Sequence, residues 1–214
     1  MKFDAKYTDK YGGEVITVNL SQNGLDLSTN IREVEFRGRG FMELTPSCAK
    51  DDPARNHFSF CDRSPHFEDC LQEFDITFNI PLTVIVQDFP KTAILECDIH
   101  VPACDDIEND DKMSLILKYD QVQPDSPGID RGFEFELEDI QDRLGHNAYL
   151  KCCFNCRYSA YNPYFNSVMM GDLVCFLNTR FKEVFGKGFQ GWHEHGLNTA
   201  FVQEIHVCEH FERG

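Results

Sequence analysis

At 214 residues the chain has room for one large domain or two small ones, and a hydrophobic content of 42% with nineteen phenylalanines argues against disorder. A formal charge of −16, from 36 acidic against 20 basic side chains, disfavours nucleic acid and anionic membranes as partners and fits a protein with a basic surface. Ten cysteines would suit a disulfide scaffold, but Met1–Lys10 lacks the apolar core of a secretion signal and no window approaches the roughly 18 unbroken apolar residues of a membrane span; the expected location is the cytoplasm, where thiols stay reduced and paired cysteines more often bind metal.

The first third reads as strands and turns. Phe3, Ala5 and Tyr7 alternate on one side, Ile16, Val18 and Leu20 do the same, and a glycine-containing turn at residues 9–13 makes them a hairpin. Residues 21–24 signal a further turn, and Ile31–Phe36 is expected as a third strand. Thr45–Asp69 is polar and irregular. Cys48, His57, Cys61, His66 and Cys70 lie in or beside it without the close spacing that zinc sites favour, so buried thiols and exposed imidazoles describe them better than a second metal site.

Phe74, Ile76, Phe78 and Ile80 alternate without a break, Pro81 is expected to interrupt, and Leu82–Val86 resumes extended. Leu95, Cys97, Ile99 and Val101 share one face, as do Met113, Leu115, Leu117 and Tyr119. Between these two strands, the acidic run from Cys104 to Asp111 lacks the glycine and terminal glutamate of a calcium loop and reads as a solvated hairpin tip. The expected class is α+β, mainly β. Residues 1–120 form an antiparallel β-sandwich or strongly bent sheet, residues 121–131 a proline- and glycine-bearing linker, and residues 132–214 a small α/β region with a zinc knuckle, packed on the first as one unit.

After the linker the period changes. Phe133, Leu137, Ile140 and Leu144 recur at helical spacing, acidic residues crowd the start, and Gly145 supplies the stop, although Phe133 and Phe135 also fit an extended start. A strand over 148–152 leads into Cys153-Phe-Asn-Cys156, whose spacing lets one tight turn aim two thiolates at one ion. Cys175 is expected on a strand over 172–177, a short helix over 179–185, and Cys208 at the end of a long strand over 199–208. Zinc takes four such ligands in a tetrahedron, so Cys153, Cys156, Cys175 and Cys208 are the expected structural site, with His206 able to replace one thiol. Cys152 points the other way in an extended chain. The same spacing serves redox centres at a helix start, which the poorly helical residues 157–163 with Pro163 do not supply, and plain burial of the thiols is the third reading.

The segments Cys153–Pro163, Gly171–Phe176, Trp192 and Val202–Phe211 resemble an uncharacterised bacterial family, a domain of unknown function in cytoplasmic proteins of about this size. Its pattern has a close cysteine pair before Tyr-Ser-Asp-Tyr, then Cys-Phe, then Val-Gln-Glu before a last cysteine. Ala160 stands where the pattern has an acid and Leu177 where a basic residue is usual. The resemblance lies mostly in the last third and implies no activity. The small, acidic character of such chains is similar to that of bacterial immunity proteins that neutralise toxins, a likeness of type alone.

Two function classes follow. One is a non-catalytic, zinc-stabilised interaction protein. The other is a metal-dependent hydrolase using His193, Glu194 and His195, but these lie closer together than the one-turn spacing of metalloprotease histidines, and Gly191 and Gly196 argue for an exposed loop. Neither a nucleophile elbow nor a phosphate-cradling glycine loop is found.

Overall fold

Strict alternation in the first twenty residues buries one face of a hairpin. In the computed structural model, which describes residues 1–21, 26–38, 40–62, 68–104, 112–128, 132–161, 173–177 and 200–214, β1 (Lys2–Asp9) pairs antiparallel with β2 (Gly12–Leu20) from Lys2↔Asn19 to Asp9↔Gly12. Phe3, Ala5, Tyr7, Ile16, Val18 and Leu20 all point into the core. The next expectation needs correction. Residues 31–36 are the middle of a second hairpin, β3 (Leu27–Ile31) and β4 (Val34–Gly38), because Arg32 and Glu33 both take positive φ, 47° and 69°, and reverse the chain. Gly38 ends β4 where a Cβ would stand 2.4 Å from the Glu43 carbonyl oxygen, a close approach that only glycine permits.

Short pieces cross the irregular stretch: β5 (Thr45–Pro46), β6 (Ser59–Phe60) and β7 (Leu71–Gln72). Beyond the β6–β7 pair, Asp69 takes positive φ and its N–H bonds to the Cys61 carbonyl at 2.8 Å, while the Cys61 N–H bonds to the Cys70 carbonyl at 2.9 Å. This is a bulge with Asp69 in the left-handed position usually held by glycine. Asp69 is fixed there by its ion pair with Arg55, whose guanidinium lies 4.2 Å from the centre of the Phe60 ring.

β8 (Phe74–Val86) and β9 (Phe89–Val101) pair over thirteen residues each, joined by a turn in which Gln87 and Asp88 have positive φ. Pro81 does not interrupt β8. It lies where β1, paired as far as Phe78, has ended and β11 (Ala148–Leu150), paired from Val84, has not begun; this is the edge-like position a proline tolerates. β10 (Lys112–Lys118) closes the order β10-β9-β8-β1-β2-β3-β4-β5, with β11 beside the second half of β8. Among the described residues these strands make one open antiparallel sheet of nine strands, in keeping with the expected mainly β class.

α1 (Phe133–Leu144) is helical from Phe133 and ends at Gly145, with Glu134 and Glu136 in its first turn. It lies against β10 and β11, sending Phe133, Leu137 and Ile140 into the same core as the sheet. Glu136 is also fully buried, one carboxylate oxygen accepting from the Gly128 N–H at 3.2 Å. A second sheet of three short strands follows, β12 (Ser159–Tyr161), β13 (Leu173–Cys175) and β14 (Ala200–Val202), in that order. No helix among the described residues is long and apolar enough to cross a membrane.

Candidate metal centre

The close cysteine pair brackets a single 3-10 turn, Cys153–Asn155 capped by Cys156, that begins three residues after the end of β11. Cys156 N–H bonds to the Cys153 carbonyl at 3.0 Å, and Asn155 N–H to the Cys152 carbonyl at 3.0 Å. Ser159 closes the turn from below, its hydroxyl donating to the Cys153 carbonyl and to the Cys156 carbonyl. The turn is also fixed to α1. Asn155 Nδ2 donates to Gln141 Oε1 at 2.8 Å and to the Leu150 carbonyl at 3.0 Å, and Gln141 Nε2 donates to the Ala148 carbonyl at 3.0 Å.

The other two cysteines arrive from separate segments. On β13, Cys175 pairs with Ser159 on one side and Ala200 on the other. Cys208 follows β14, and its sulfur accepts the His210 N–H at 3.3 Å, a local turn that holds the thiol in place. Cys153, Leu173 and Val202 form a small buried cluster, against which Cys175, Cys208 and Tyr161 pack. Cys156 is 9% exposed beside it. Burial pushes the Cys153 thiol well above its ordinary range, and the neighbouring sulfurs of Cys156, Cys152, Cys208 and Cys175 push it further. Among the described residues, no group of three or more His, Cys, Asp or Glu side chains already stands close enough to hold a metal ion. The four sulfurs are neighbours without a common point.

Cys152 turns into the main core, where it is fully buried, while Cys153 joins the small cluster. Burial raises the Cys152 thiol to about 12. His206 meets the turn through its backbone, its carbonyl accepting the Cys153 N–H at 2.8 Å. The expected long strand over 199–208 is three residues, because the chain turns at Gln203–His206, where His206 N–H bonds to the Gln203 carbonyl at 3.0 Å. That turn buries Gln203 and Glu204, 3% and 1% exposed, which alternation along a strand does not foresee. Burial, then the carboxylates of Glu204 and Glu134, hold the Tyr161 hydroxyl protonated far above its ordinary range.

The docking of residues 209–214 also escaped sequence reasoning, for these polar residues show no periodicity. Arg157 N–H bonds to the Glu212 carbonyl at 2.8 Å, and Gly214 N–H to the Asn155 carbonyl at 3.0 Å. Glu212 accepts from the Tyr158 hydroxyl at 2.8 Å and from Arg157 at 3.1 Å, Phe211 stacks on Tyr149, and Arg213 lies 4.4 Å from the centre of the same ring.

The expected helix over 179–185, His193, Glu194, His195, His66 and the acidic run 105–111 lie outside the described residues. Of the cysteines along the irregular stretch, expected as buried thiols, Cys61 and Cys70 are buried and Cys48 partly so. Burial, with the Glu43 carboxylate and the Cys61 sulfur behind it, raises Cys70 to about 11.

No curated protein and no solved structure matches the chain. A family model matches residues 1–159, from the start of the chain through the first residue of β12. The matched stretch contains the large sheet, α1, Cys153 and Cys156, and stops before Cys175 and Cys208. By that match the chain belongs to a family of unknown function, DUF6304.

Proposed function

We propose that the protein is a non-catalytic protein-interaction module whose carboxyl-terminal third is stapled by a structural zinc ion on Cys153, Cys156, Cys175 and Cys208. The observation that carries this reading is the packing of three chain segments, each bearing one or two of these thiols, around the buried Cys153. Buried neutral thiols gain nothing from one another. A divalent cation that takes them as thiolates releases their protons and binds the three segments together. Zinc would hold the four sulfurs at about 2.3 Å each, so loading draws the three segments together. Four thiolates leave zinc no open position, so the ion supplies folding energy and no reaction chemistry.

The acidic surface gives the partner its class. A charge of −16 steers a protein with a basic surface toward the module, in the cytoplasm, as a toxin is met by an immunity protein. Elemental analysis of the native protein tests the staple: one zinc per chain with a four-sulfur X-ray absorption shell is expected, and a metal-free protein of unchanged melting temperature refutes it. Pull-down from the native host tests the partner; a basic protein retained at low salt and lost at high salt is expected.

A further inference from the structure

We infer that metal loading and docking of the Glu204–Gly214 segment are one coupled transition, so that this segment is a metal-responsive latch over Tyr149 and Tyr158. The inference rests on the four-thiol zinc reading and adds a consequence of it. Four backbone hydrogen bonds join the segment to the turn that bears Cys153 and Cys156: Cys153 N–H to His206, Phe154 N–H to Glu204, Arg157 N–H to Glu212, and Gly214 N–H to Asn155, all between 2.8 and 3.0 Å. Cys208 sits in the middle of the segment. Any ion that fixes Cys208 relative to Cys153 and Cys156 therefore fixes the docked register, and the docked register in turn holds Cys208 beside its fellow ligands.

What remains without the ion is weak beyond Cys208. Of its side-chain contacts, the Arg157–Glu212 pair has side chains 59% and 54% exposed, where water and salt screen most of the attraction. Ile205 is fully buried, so the firm anchor lies at the start of the segment, and the part beyond Cys208 is held by two backbone bonds, the half-buried Phe211 on Tyr149 and exposed polar side chains. Release of that part uncovers the Tyr149 ring on β11, which Phe211 and Arg213 cover, and frees the Tyr158 hydroxyl from Glu212. Because coupling is reciprocal, weakening the docked segment must also weaken metal binding at Cys153, Cys156 and Cys175, which lie outside it.

Hydrogen exchange of the full chain, zinc-loaded and after chelation with zinc content measured on both samples, reads the latch directly. Chelation is expected to speed exchange at Arg157 and Gly214 by about tenfold or more while β8 and β9 stay protected. Equal exchange in loaded and chelated protein overturns the latch and leaves the zinc site standing. Loss of protection throughout the large sheet overturns it too, and a protein that takes up no zinc overturns both readings. Glu212→Ala, which removes no thiol, is expected to lower zinc affinity several-fold in competition with a chromophoric chelator, and an unchanged affinity overturns the coupling.

Discussion

The large sheet and the cysteine region are held together in different ways. β8 and β9 match over thirteen residues each, and the core beneath them gathers Phe36, Phe41, Phe74, Ile80, Leu95 and Leu115 at 1% exposure or less. The second sheet has three-residue strands over a cluster of Cys153, Leu173 and Val202. Burial at about 25 cal/mol per Å² stabilises the first amply, whereas among the described residues the second shows only three short strands and this small cluster. The proposed zinc staple would cross-link the segments that carry Cys153 and Cys156, Cys175 and Cys208.

The largest expected difference comes from the proposed zinc ligands. Cys156→Ser should abolish zinc uptake and unfold the region around β12–β14, since structural zinc contributes apparent folding energy of about 10–16 kcal/mol in small peptides. Hydrogen exchange should localise the loss there and leave β8 and β9 protected; uniform loss would erase the contrast between the two regions. In the other direction, Leu95→Ala removes a fully buried side chain from the sheet core. A loss of about 3 kcal/mol in urea unfolding is expected, with zinc stoichiometry unchanged.

Acid should weaken the sheet through one pair. Burial acts to raise the Asp9 carboxyl, but hydrogen bonds from Arg32, Tyr7 and the Tyr11 N–H outweigh it and hold the carboxyl below its ordinary value. A lowered carboxyl stabilises the fold above its unfolded value, near 4, and that contribution is lost as pH falls through the folded value. Asp9→Asn should therefore destabilise at pH 7 by about 2 kcal/mol, and the difference from the parent should shrink below about pH 4. The smallest effect is expected at Lys50–Glu68, a 2.9 Å pair with side chains 71% and 64% exposed. Lys50→Ala should leave thermal unfolding unchanged within error, for an exposed pair gains little over its hydration.

Where a strand had one wet and one buried face, the sequence was readable. β1, β2 and β9 bury the very residues their alternation picked out, and β10 buries Met113, Leu115 and Leu117 with Tyr119 half-buried just past its end, because a period of two leaves only one face for the core. α1 and its Gly145 stop were legible for the same reason at the helical period. The hairpin at Arg32–Glu33 was not, since neither residue belongs to the usual glycine and asparagine turn vocabulary; Arg32 is held there by the Asp9 carboxylate and by the rings of Tyr7 and Phe58. Pro81 misled because a proline's effect depends on which neighbouring strands happen to run past it.

Spacing and composition alone determined the mainly β class, the helix after the proline-bearing stretch and the close thiol pair at 153 and 156, for each is a local pattern of chain geometry. Whether the sheet closed, how β11 joined β8, which way Cys152 and Cys153 faced, and how residues 204–214 folded back onto the turn were settled only in three dimensions. Those features depend on contacts between residues far apart in the chain, and such contacts leave no period behind them in the order of amino acids.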